Sequence, residues 1–138
     1  MPDEVFCKTS DMDSFLYSFE KLETWQIARM LASDVYRTTS SFPPEEKFGL
    51  TLQIRRAALS ITANIAEGAG RTSPKDQAKF TTMAYSSLLE LLNHLILASD
   101  LNFLSSQVLK EYRTKIYPLS VKLSNLKNSQ LKRAAPET

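Results

Sequence analysis

The chain is poor both in residues that break a backbone and in residues that do chemistry. Of 138 residues, 3 are glycine, 1 is cysteine and 1 is histidine. A lone Cys7 excludes an intramolecular disulfide and any cysteine-based zinc site, and no base stands near it to make it a nucleophile. A lone His94 excludes a two-histidine metal site and a multi-histidine relay. The Glu-x-x-His pattern of di-metal bundles is missing as well, since Glu90 and His94 are four apart and occur once. The stretch Gly68-Ala69-Gly70-Arg71 closes a helical pattern rather than following a strand, so it is not a phosphate loop. The longest apolar run, Leu88–Ala98, is interrupted by Glu90, Asn93 and His94 and is too short to span a membrane. Met1–Tyr17 is acidic and lacks the apolar core of a secretory signal. These absences point to a cytoplasmic protein with no membrane segment, no metal, no cofactor and no catalytic residues.

What is present is helical. Hydrophobic residues make up 43% of the sequence, ordinary for a globular domain of this length, and strand-like alternation is rare. An acidic tail is expected over 1–18, a four-helix bundle over 19–131 and a short tail over 132–138. A first helix is expected from about Phe19 to Thr39, with Leu22, Trp25, Ala28, Leu31, Ala32 and Val35 at helical spacing; Trp25 and Tyr36 either pack in the core, the preferred reading, or extend beyond it into an interface. A second spans Phe42–Arg71, entered through Pro43-Pro44 and the acids Glu45 and Glu46, which suit the positive end of a helix dipole. A third starts on a Ser73 cap with Pro74 in its first turn and runs to about Leu101. A fourth is capped by Ser105 or Ser106, and Pro118 within it predicts a kink. Helices of this length on short loops argue for an all-α, antiparallel up-down-up-down bundle.

The second helix carries little charge for a solvated one. At about 100° per residue, Leu50, Ile54, Ala57, Ala58, Ile61, Ile65 and Gly68 form one apolar stripe. Phe48, Leu52, Leu59, Ala63 and Ala66 form another, roughly opposite. Two apolar faces require two partners, and the simplest second partner is another copy of the chain, so the second stripe is the expected oligomer interface. Between the faces runs a polar seam of Gln53, Arg56, Ser60, Asn64, Glu67 and Arg71, with Arg55 beside it. The seam either presents guanidinium groups to phosphate or fixes helix register, and the structural role is preferred. Asn64, Glu67 and Arg71 are spaced to bridge one another, and Glu90 is expected against Arg55 or Arg56.

Charge is uneven. Residues 1–18 sum to −3, whereas 110–133 carry seven bases against Glu111. Lys110, Arg113, Lys115, Lys122 and Lys127 on the fourth helix are the expected phosphate contacts for a polyanionic partner, with a solvated lysine face as the alternative.

Several motifs then resemble a known family. Phe42-Pro43-x-Glu45-Glu46, Gly49-Leu50, Gln53-Ile54-Arg55-Arg56-Ala57-Ala58-x-Ser60-Ile61 and Asn64-Ile65-Ala66-Glu67-Gly68-x-Gly70-Arg71 are similar to the four-helix-bundle proteins encoded in intervening sequences of bacterial 23S ribosomal RNA genes. The similarity continues through Leu88-x-Glu90-Leu91 and Ala98-x-x-Leu101. It extends in kind to the accessory variability determinant of diversity-generating retroelements. The resemblance implies a non-enzymatic homo-oligomer, a ring-like homopentamer, with RNA or DNA and a reverse transcriptase as partners. Leu92 and His94 stand where that pattern commonly has Glu and Gln.

Overall fold

A computed structural model describes residues 15–135. Cys7 and most of the acidic tail lie outside the described residues, as do 136–138. Among the described residues there are four α-helices and no strand: α1 Glu23–Thr39, α2 Leu50–Ala69, α3 Pro74–Asp100 and α4 Ser106–Ala134. Two short 3-10 turns, Ser18–Lys21 and Pro44–Glu46, precede α1 and α2.

Two helix starts differ from expectation. Helix α1 begins at Glu23, because the chain turns first at Ser18–Lys21, where the Tyr17 N–H donates to Glu20 Oε2 at 2.8 Å. Helix α2 begins at Leu50 rather than at the prolines. Pro44–Glu46 close a single 3-10 turn, and the Glu46 carboxylate reaches forward to accept the Leu50 N–H at 3.0 Å. Glu46 therefore serves as a side-chain cap, satisfying one of the donors a helix start leaves unpaired. A Cβ on Gly49 would stand 2.8 Å from that carboxylate oxygen, so a side chain at this step would push the Glu46 cap aside.

The other ends follow local chemistry. Ser73 and Ser105 cap α3 and α4, accepting from Asp76 N and Val108 N. Helix α3 ends in a Schellman arrangement, with Phe103 N donating to Ala98 O and Asn102 N to Ser99 O. Asn102 takes the left-handed position at φ 63°, which asparagine tolerates. Helix α4 stays helical on both sides of the exposed Pro118 and runs to Ala134, past the expected end at Leu131.

One apolar core joins the helices. Val35, Ile54, Ile61, Leu88, Leu91, Leu95, Leu119 and Leu123 are its largest fully buried side chains. The first α2 stripe is buried in it from Ile54 to Gly68, except that Leu50 is only half-buried. Helix α2 packs most extensively on α3, α3 on α4, and α1 least on α4.

Each neighbouring pair also carries a polar tie. Arg55 Nε donates to Thr39 Oγ1 at 2.8 Å between α2 and α1, and the Ser60 and Ser87 hydroxyls meet at 2.8 Å between α2 and α3. Buried Thr81 donates to Gln130 Oε1 at 2.7 Å between α3 and α4. Thr38 and Tyr112 meet at 2.6 Å between α1 and α4. Positions that climb along α4 meet positions that fall along α1: Tyr112 meets Thr38, Lys115 meets Asp34, and Lys122 meets Glu23.

Candidate interaction surfaces

The second α2 stripe faces outward. Leu59 is 47% exposed, Ala63 is exposed, and Leu52 and Ala66 are half-buried. Phe48, 79% exposed, belongs to the turn before α2 rather than to the helix. Beside this stripe, α1 contributes Trp25, Arg29, Ser33, Tyr36 and Arg37, which with Leu59 and Thr62 line an open groove of about 520 Å³. Trp25 therefore sits at the edge of the core, packed against it on one side and lining the groove on the other. It is half-buried, edge-on to Phe19 at 5.0 Å, with the Arg29 guanidinium 5.4 Å from its ring centre. The Arg55 guanidinium lies 4.5 Å over Tyr36. The groove has no acidic lining residue, and among the described residues no acid lies within ion-pair distance of Arg29 or Arg55.

The polar seam divides by neighbour. Ser60 meets Ser87 on α3, and Asn64 Nδ2 turns back to Ser60 O at 2.9 Å instead of bridging to Glu67. Glu67 and Arg71 do pair, at 3.1 Å, with Arg71 also 4.7 Å over Phe80. Gln53 and Arg56 are exposed. The expected Glu90 contact with Arg55 or Arg56 is absent. Glu90 pairs within its own helix with His94 at 3.2 Å, one turn away, and Arg55 turns to α1. A carboxylate four residues before a histidine meets it along its own helix, which leaves little reach across the interface.

The five cations of α4 do not share one face. Lys115 is paired with Asp34 at 3.0 Å and Lys122 with Glu23 at 2.9 Å, both toward α1. Lys127 is half-buried on the other edge, beside Thr82 and Tyr85 of α3. Lys110 and Arg113 are exposed without an acid in ion-pair range among the described residues. Burial alone would raise the Asp34 pKa, but hydrogen bonds from Lys115 and Arg37 outweigh it and hold the carboxyl below its ordinary value. Burial pushes the Tyr112 hydroxyl up, partly offset by its bond to Thr38.

Among the described residues, no three His, Cys, Asp or Glu side chains converge as a metal site would require, and no helix is long and apolar enough to cross a membrane. A family model described as 23S rRNA-intervening sequence protein matches residues 20–125, which takes in α1, α2, α3 and most of α4. No curated protein matches the chain.

Proposed function

Because the chain belongs to the 23S rRNA-intervening sequence protein family, we propose that it is a non-enzymatic, homo-oligomeric helical scaffold that binds nucleic acid. The antiparallel up-down-up-down bundle is its protomer, and the exposed α2 stripe joins protomers into a ring, a homopentamer on the family resemblance. RNA or DNA is the partner, and a nucleic-acid enzyme such as a reverse transcriptase is the further partner that the resemblance suggests. The observation that carries the nucleic-acid reading is the charge on α4, a 29-residue helix with Glu111 as its one acid. Such a helix attracts phosphate without reading sequence.

Replacing Lys110, Arg113, Lys115, Lys122 and Lys127 with Gln tests this in titrations against structured ribosomal RNA at two salt concentrations. Wild-type binding should fall steeply with salt, with a log–log slope no steeper than about −4, the limit for five phosphate contacts, and the variant should lose most of the affinity. Lys110→Gln with Arg113→Gln should cost more than Lys115→Gln with Lys122→Gln, since the latter two already have acidic partners. Unchanged affinity in the fivefold variant, or no wild-type binding, overturns the proposal. The second reading, a protein-only adaptor, draws on those two ion pairs, which spend part of the charge internally. A partner retained on the scaffold after nuclease treatment would favour it.

A further inference from the structure

Assembly through the α2 stripe leaves open what surface it meets. Two copies of the α1/α2 groove cannot fill each other. The groove is concave, and facing copies would bring its lining cations Arg29 and Arg37 against their own equivalents, with no acid in either lining and Asp34 beside them already paired with Arg37. Like charges set opposite one another across an interface cost affinity. The occupant must be a different, convex surface, apolar along its crest and acidic beside it.

One surface of this chain has that character. Met83, Glu90 and Leu97 are spaced by sevens along α3 and so lie in one line, which Leu101 continues. Met83, Leu97 and Leu101 are 43%, 45% and 57% exposed, unusual for three large apolar residues in a row on a helix this well packed elsewhere. Glu90, whose side chain is 52% exposed, and Asp100 supply the acid along the ridge, and the base Lys79 stands one turn before Met83, at the ridge's opposite end from Asp100. Another exposed apolar row, Tyr117 and Val121 on α4, stands among Lys110 and Arg113 and would repel the groove's arginines.

We propose that the α1/α2 groove of one protomer receives the α3 ridge of the next, with Trp25, Tyr36 and Leu59 packing on Met83 and Leu97 and the groove's arginines facing Glu90. Trp, Tyr and Arg are the side chains that dominate the energetics of such contacts. This inference rests on the assembly reading above. It makes the contact heterologous, groove to ridge, the kind that propagates into a closed ring or an open fibre and never stops at a symmetric pair.

Complementation tests it. Leu59→Lys blocks the groove and Leu97→Lys blocks the ridge, and both sites are exposed enough for the fold to survive. Light scattering should give wild type a multiple of the 15.6 kDa protomer and each variant the monomer mass. An equimolar mixture should give twice the protomer mass, because one good ridge meets one good groove and growth then stops. A wild-type assembly unaffected by Leu97→Lys, or a mixture that stays monomeric, overturns the groove-to-ridge contact and leaves assembly standing. A monomeric wild type overturns both.

Discussion

At the scale of single residues, Asp34 shows how one carboxylate joins two helices. It accepts from Lys115 of α4 and from Arg37 one turn along α1, at 3.0 and 2.6 Å. Its pKa is lowered in the folded state, so its stabilisation is complete above the unfolded value near 3.8 and is lost as pH falls through the lower folded value. The partners are partly solvated, which limits the effect to about 1 kcal/mol or less. Asp34→Asn should lower the urea midpoint slightly at neutral pH and flatten the dependence of stability on pH in the acid range. Equal slopes for wild type and variant would remove the assignment. The Asp34 pairing could not be read from the sequence, because Lys115 lies 81 residues away and nothing in either local pattern selects the other. Arg55 was misplaced for a related reason: its charge suggested Glu90, whereas the Tyr36 ring and the Thr39 hydroxyl were already in reach.

At the scale of elements, α2 and α3 approach closely because Gly68 has no side chain. A Cβ there would meet Phe80 Cβ at 3.0 Å and the Gln77 carbonyl at 3.5 Å. Glycine to alanine within a helix ordinarily gains up to about 1 kcal/mol, but overpacking costs about 1–3 kcal/mol, and here the one tight contact is the Phe80 Cβ, which cannot rotate away. Gly68→Ala should therefore destabilise by roughly 1 kcal/mol in urea unfolding; a stabilised variant would show that the α2–α3 contact relaxes freely. The sequence places Gly68 on the inward stripe at a helix end, and the residues it must clear emerge only when α3 is laid against it. Glu46 is a similar case, a first-turn acid by pattern and a cap by geometry.

For the whole molecule, the two faces of α2 predict two different failures. Ile61 is fully buried, and Ile61→Lys places an unpaired charge in the core at a cost of several kcal/mol, about the size of a small domain's whole stability. The protomer should lose its cooperative thermal transition by circular dichroism. Ala63→Glu lies on the outward face and should keep the transition while reducing the assembled mass. If both variants behaved alike, α2 would not have two separable functions.

Helix number, most caps and the core stripe of α2 follow from the sequence, because periodicity, capping and turn chemistry act within a few residues. The outward second stripe was legible by the same periodicity. The sequence offered Trp25 and Tyr36 as either core or surface residues, and tertiary structure decided that they join the stripe's Leu59 in one groove and that the α4 cations divide among three directions. A run of bases along a chain records only their order. Their direction depends on which neighbouring helix supplies an acid, and for Lys115 and Lys122 that neighbour is α1.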